Sequence, residues 1–161
     1  MVEVVGDAIE RSRAAFADIR GFTALTEGLP PQAVITLINA CMEKMSEAVE
    51  AEGGVVDKYV GDELMAIFSA PVSRGDDAGR TVRAAIRIQE ELAELNDQRR
   101  AEGADPLSVG VGINSGRAVA GNMGSSNRLN YNRARRGGES RVQALWLGPR
   151  RRNLLVGGYR R

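Results

Sequence analysis

The chain has 161 residues, 43% of them apolar and 27% charged, which is enough for one globular domain with a core of its own. It has no run of 18 apolar residues and hence no expected membrane segment, and its N-terminus, MVEVVGDAIERSR, lacks the apolar stretch of a secretory signal. With no histidine and one cysteine, Cys41, it excludes a disulfide framework, a Cys/His zinc site and a Ser-His-Asp triad, and the single thiol points to a cytoplasmic compartment.

In chain order, Ser12 to Ala17 forms a modest strand with Asp18 at its end. Gly21-Phe22-Thr23 opens a short helix or turn that runs to Gly28. Pro30-Pro31 starts a long helix, with Pro31 suited to the first turn. Val34, Leu37, Ile38, Cys41, Met42, Met45, Ala48 and Val49 recur on one face of it, and Gly53-Gly54 ends it. Val55–Val60 and Glu63–Phe68 are two short strands around the hairpin turn Gly61-Asp62. After a loop from Pro71 to Gly75, Asp76 or Asp77 caps a second long helix to about Ala101. Val82, Ala85, Ile86, Leu92 and Leu95 are its expected apolar face. Leu107–Asn114 and Arg117–Gly121 follow as another strand pair around Ser115-Gly116. The order is β-α-β-β-α-β, the ferredoxin-like or split βαβ plan: an α+β domain with an antiparallel sheet covered by helices.

The net charge of +1 averages two unlike segments. Nine arginines and a single acid, Glu139, bring residues 132–161 to +8, leaving 13 bases and 20 acids, or −7, in residues 1–131. An Arg-rich arm of this kind usually suggests a nucleic-acid partner. Apolar periodicity also stops at Asn132.

In the split plan the first strand lies beside the hairpin, so Asp18 and Asp62 can converge at one sheet edge. Two carboxylates without histidine suit Mg²⁺ or Mn²⁺, hard cations commonly shared with substrate phosphates. Ile19-Arg20-Gly21-Phe22-Thr23 leads into a helix N-terminus whose N–H groups can hold a phosphate. The plainer alternatives are that Asp18 caps the helix and Asp62 is a turn residue. Lys58 is either a solvent-facing strand lysine or a donor to a base or phosphate. Cys41 belongs to the core. Gly110, Gly112 and Gly116 lie within a strand pattern, where close packing is expected rather than a dinucleotide fingerprint. No GxxxxGK[ST] loop occurs.

Three segments carry a resemblance: FADIRGFTALTE (Phe16–Glu27), DKYVGDELMAIFSAP (Asp57–Pro71) and VGVGINSGRAVAGNMGSSNRLNY (Val109–Tyr131). They resemble, in the same order, the catalytic domain of class III adenylate and guanylate cyclases, most of all the bacterial adenylate cyclases. The motif of the GGDEF-type diguanylate cyclases, which share the fold, is absent. The resemblance implies that Asp18, Asp62 and the Ile19 carbonyl hold two divalent cations, Mg²⁺ or Mn²⁺. It implies that Gly21, Phe22 and Thr23 receive the triphosphate and that Lys58 reads adenine, so that the substrate is ATP and the products are cyclic AMP and pyrophosphate. It further implies a head-to-tail homodimer with active sites at the interface, and regulatory domains in a longer parent protein.

The resemblance covers residues 12–131 and then stops, so two regions are expected: an incomplete cyclase domain, 1–131, and an aberrant Arg/Gly-rich tail, 132–161. Asn132 stands where the family has a Thr or Asp that helps to read adenine. The family continues with a segment like T-V-L-G-E-A-V-N. The string from Asn132 to Glu139, NRARRGGE, yields that segment when suitable synonymous codons are read one base later. Arg151 to Tyr159 similarly yields A-E-I-F-L-S-A-A-T. The tail is therefore expected to be an out-of-frame translation rather than a nucleic-acid arm. The codons for the family's ribose-orienting Asn and its transition-state Arg would then give Glu139 and Gln143. The expected chain is an adenylate cyclase domain impaired in turnover; the alternative is a non-catalytic nucleotide-binding or dimerisation module of the same fold.

Overall fold

The computed structural model describes residues 6–69, 72–125, 128–134, 142–146 and 155–159, with side-chain surroundings for 13–69 and 72–115. Its elements are β1 (Gly6–Ile19), α1 (Phe22–Thr26), α2 (Pro31–Ala51), β2 (Val55–Val60), β3 (Glu63–Ile67), α3 (Asp77–Ala101), β4 (Val109–Ser125), β5 (Arg128–Ala134), β6 (Val142–Trp146) and β7 (Leu155–Tyr159). A five-stranded antiparallel sheet has the order β2-β3-β1-β4-β5, and β6 and β7 pair separately. The first four strands and their two crossover helices form the expected split βαβ plan.

The core lies between one face of the sheet and the helices α2 and α3. Ala15, Ala17 and Ile19 of β1 alternate inward, as do Leu64 and Ala66 of β3 and Val109 and Val111 of β4. Leu37, Cys41, Met45 and Val49 of α2 meet Ala84, Ala85, Ile88 and Leu92 of α3 above them. Each large apolar side chain buried here contributes about 1.5–3 kcal/mol relative to exposure. The small alanines of the central strand allow the helices to approach the sheet closely. Burial pushes the Cys41 thiol up to about 11, so this cysteine packs rather than reacts.

Local chemistry explains the boundaries. Pro31 occupies the first turn of α2, where its missing N–H costs nothing. Gly53, at φ 67, stops the helix in the left-handed conformation, and its N–H donates to the Glu50 carbonyl at 2.8 Å. The start of α3 is fastened by Arg80, which is buried. Its guanidinium donates to the carbonyls of Glu52 (3.0 Å), Gly53 (2.7 Å) and Phe68 (2.6 Å) and to Asp77 Oδ1 (2.6 Å). One side chain thus ties together the end of α2, the end of β3 and the start of α3.

Four expectations need correction. β1 begins at Gly6, not Ser12, because it pairs with β4 along its length, from Gly6↔Gly121 to Ile19↔Val109. The same ladder carries Ser115 and Gly116 through as strand, so the expected turn there does not exist, and β4 is one strand of 17 residues. On α3, Val82 and Ile86 are exposed; the buried face runs through Arg80, Thr81, Ala84, Ala85, Ile88, Leu92 and Asn96. Polar anchors set this rotation: Arg80 at one end, and at the other Asn96, which exchanges two hydrogen bonds with the Leu107 backbone (2.9 and 2.6 Å). Finally, Asp76 occupies the N-cap position without a side-chain capping bond, whereas the Asp77 carboxylate accepts from Ser73 and from the Arg74 N–H.

Candidate active site

With α2 and α3 covering one face of the sheet, the other face is free of helices among the described residues, and the strand register fixes what stands on it. One row runs Val60–Glu63–Asp18–Gly110 and the next runs Lys58–Met65–Phe16–Gly112. Asp18 comes from the end of the central strand, Asp62 from the adjacent hairpin turn. Their backbones are locked together. The Ile19 N–H donates to the Asp62 carbonyl at 3.4 Å, and the Arg20 N–H donates to the Ser108 carbonyl at 2.7 Å. The turn itself needs Gly61, which sits at φ 64.

The Asp18 and Asp62 carboxylates are near enough for each charge to act on the other. Burial, the Asp62 charge and the Asp62 hydrogen bond raise the Asp18 pKa above the ordinary carboxylate value, with Arg20 opposing. Glu63, beside Asp18 in the ladder, is raised by burial and by the charges of Asp18 and Asp62. The site is therefore a patch of mutually repelling carboxylates at the end of β1. Sequence reasoning did not single out Glu63. Its signal was the hairpin register, which pairs the residue after Asp62 with Asp18.

The other expected site residues are placed as follows. Ile19 has its side chain in the core, leaving its backbone at the site edge. Gly21 precedes α1 in the left-handed conformation, φ 66. Phe22 and Thr23 form the first turn of α1, whose backbone closes with the Leu25 N–H on the Gly21 carbonyl at 2.9 Å. Lys58 lies on the same helix-free face, one row away from Asp18, with its Nζ 3.3 Å from Asp57 Oδ2. Asn132 is not beside Lys58: it pairs with Gly121 in β5, the edge strand opposite the one that carries Lys58. Gly112 is not a point of close packing, since a Cβ there would meet nothing within 4 Å; it leaves the sheet floor open beside Phe16. Of the two residues expected to stand in place of the family's Asn and Arg, Glu139 lies outside the described residues and Gln143 pairs with Gly158 in the β6–β7 ladder. Among the described residues no helix is long and apolar enough to cross a membrane.

Residues 7–132 match the family described as the adenylate and guanylate cyclase catalytic domain. The chain is 34% identical to an adenylate cyclase of Anabaena cylindrica over 135 residues, which is 80% of this chain and 25% of that protein. It is likewise 34% identical to adenylate cyclase 1 of Rhizobium meliloti (strain 1021) over 118 residues, 73% of this chain and 18% of that one. Among solved structures, the adenylyl cyclase CyaB from P. aeruginosa aligns at a TM-score of 0.76 and 35% identity, covering 81% of this chain and 68% of that chain. The guanylyl cyclase Cya2 aligns at 0.75 and 38%, covering 80% and 65%. The chain thus spans about a quarter or less of these two curated relatives. A split βαβ sheet with paired carboxylates beside a hairpin, matched to one family over most of its length, places the chain in the adenylate and guanylate cyclase catalytic domain family.

Proposed function

We propose that the chain is an adenylate cyclase catalytic domain that acts on ATP to form cyclic AMP and pyrophosphate, and that this form is impaired in turnover. The observation that carries the reading is the proximity of Asp18, at the end of β1, to Asp62, in the adjacent hairpin turn, two carboxylates kept together against their own repulsion. Such a pair suits a hard cation. Mg²⁺ is commonly held by one or two carboxylates together with substrate phosphates. Among the described residues no group of three or more His, Cys, Asp or Glu could hold an ion alone. The donor set therefore fits cations shared with a triphosphate.

Asp18, Asp62 and the Ile19 carbonyl would hold two Mg²⁺ or Mn²⁺ ions. When bound, these ions supply Lewis acidity, favouring deprotonation of the ribose 3′-hydroxyl and neutralising the triphosphate. The turn at Gly21, Phe22 and Thr23 receives the triphosphate and directs pyrophosphate away. Lys58 donates to the adenine ring and orients the ribose towards the α-phosphorus. The 3′-oxygen gives its proton to solvent water and attacks that phosphorus in line, the bond to the bridging oxygen breaks, and pyrophosphate leaves. The base preference rests on Lys58, because the similar solved structures include both an adenylyl and a guanylyl cyclase.

The match to the family ends at residue 132, which supports the reading of 132–161 as an out-of-frame tail. The family's Asn and Arg are then missing from every copy, so pairing two chains head to tail does not restore them. A second copy is nevertheless the expected partner, with regulatory domains supplied by a longer parent. The exposed Val55 and Val60 on the helix-free face support such pairing. The same ending at 132 also favours the second reading, a module that binds nucleotide without turnover. The test measures cyclic AMP from Mn²⁺-ATP with this chain and with a form whose coding sequence lacks the first base of the Asn132 codon. An Arg on a phosphoryl transition state contributes ~10³–10⁵ in rate. The corrected form should therefore turn over at least that much faster. Robust turnover by the 161-residue chain would refute the impairment, and silence of both forms would favour the module.

A further inference from the structure

We propose that Asp57 is the positioning residue that holds Lys58 for reading the base; the proposal rests on the role given to Lys58 above. The argument begins with the register of β2 on β3. Val55 pairs with Ile67 and Val56 with Ala66, and then the ladder slips. It resumes with Lys58 on Met65, Tyr59 on Leu64 and Val60 on Glu63. Asp57 is the inserted residue of a β-bulge.

This insertion decides where Lys58 points. In an unbroken strand Val56, Lys58 and Val60 would share a face, since side chains alternate with period two. Val56 packs against the helix-covered core opposite Ala66. Without the bulge Lys58 would follow it towards α2. With the bulge, Tyr59 takes that side instead, and its hydroxyl lies 2.8 Å from Ser46 Oγ of α2. Lys58 is turned onto the helix-free face, in line with Met65 and Phe16 and one row from Asp18. Bulges commonly re-aim a side chain beside a site in this way.

The inserted residue is itself informative. The Asp57 side chain is only 5% exposed, and its Oδ2 accepts no well-aligned hydrogen bond, its charge partner being Lys58 Nζ at 3.3 Å. A buried carboxylate is costly unless a nearby charge offsets it. A bulge needs no acid, and Ser or Asn would serve the backbone equally well. What the carboxylate adds is a fixed negative charge that holds the flexible lysine stem in one direction. An ammonium carries three donors, so it can serve a carboxylate and a ring nitrogen together.

The test compares the binding of non-hydrolysable ATP and GTP analogues, with Mn²⁺, to the full chain and its variants by calorimetry. The readout is the ratio of the two affinities, because damage to the fold weakens both nucleotides alike. Lys58→Ala should reduce a preference for the ATP analogue of about tenfold to near unity. Asp57→Asn should reduce it similarly with Lys58 intact, and the double variant should be no worse than Lys58→Ala alone. Asp57→Glu should recover part of the preference. If Asp57→Asn does not melt cooperatively, Asp57→Ser provides the same comparison. A wild-type ratio in a folded Asp57 variant, alongside a lost ratio in Lys58→Ala, overturns the positioning role and leaves the base reading standing. A wild-type ratio in Lys58→Ala, or no binding of either analogue by the unaltered chain, overturns the reading beneath it.

Discussion

Replacing Asp62 by Asn should stabilise the metal-free protein while destroying its metal-dependent nucleotide binding. The substitution keeps the shape and suits the turn beside Gly61, but removes one of the two facing charges. In the folded chain burial, the Asp62 charge and the Asp62 hydrogen bond raise the Asp18 pKa above 3.8, the value of an unperturbed Asp. The folded state therefore binds its proton more readily than the unfolded chain. That contribution to stability is complete below pH 3.8 and is lost as pH rises through the raised value, so the wild type carries a penalty at neutral pH. Two unit charges about 4 Å apart repel by about 1 kcal/mol in water and about 4 kcal/mol in a partly screened surface site. Asp18 loses only part of its hydration and the residue as a whole remains exposed, so the lower figure applies. In a domain of this size 1 kcal/mol raises Tm by about 2–4 °C. Scanning calorimetry in EDTA should show that gain for Asp62→Asn at pH 7 and no gain at pH 3. Isothermal titration with Mn²⁺ and a non-hydrolysable ATP analogue should show binding by the wild type alone. A lower Tm for the variant at pH 7, or unchanged Mn²⁺-dependent binding, would refute the reasoning.

Two further substitutions probe how the helices dock. A Cβ at Gly54 would lie 2.6 Å from the Phe68 ring and 2.8 Å from Val49 Cγ1, so Gly54→Ala should cost about 1–3 kcal/mol, read as a lower urea midpoint; an unchanged midpoint would show that the ring yields freely. Arg80→Met leaves the Asp77 carboxylate without its ion partner and three carbonyls without a donor, so the loss should be about 3–5 kcal/mol. Burial alone would raise the Asp77 pKa, but its bonds from Ser73, Arg80 and the Arg74 N–H outweigh burial and hold it below 3.8. Its contribution is thus present above that pH and lost as pH falls through the folded value, so urea melts of the wild type and Asp77→Asn should converge in acid.

Much of the fold was legible because apolar period and turn chemistry are local. Pro31 and Gly53 bound α2, and Gly61-Asp62 marks the hairpin, through conformational preferences that need no tertiary contact. Ser115-Gly116 misled for the converse reason. A dipeptide compatible with a turn is equally compatible with a strand, and a long central partner decided between them. The α3 face failed likewise. Val82 and Ile86 fit the apolar spacing, but Arg80 and Asn96 set the rotation through bonds to backbone far away in sequence.

At the site, the residue types were readable and their orientations were not. The sequence by itself left carboxylates as the candidate groups at the site, since it has no histidine and a single cysteine. It also determined the order of elements and the candidates Asp18, Asp62 and Lys58. Only the tertiary structure decided that Glu63 joins the carboxylate patch, that Asp57 is buried beside Lys58, and that Lys58 faces away from the helices. The reason is that pairing register is a property of two strands. A slip of one residue moves a side chain from one face of the sheet to the other, and no count along a single strand records where its partner slips.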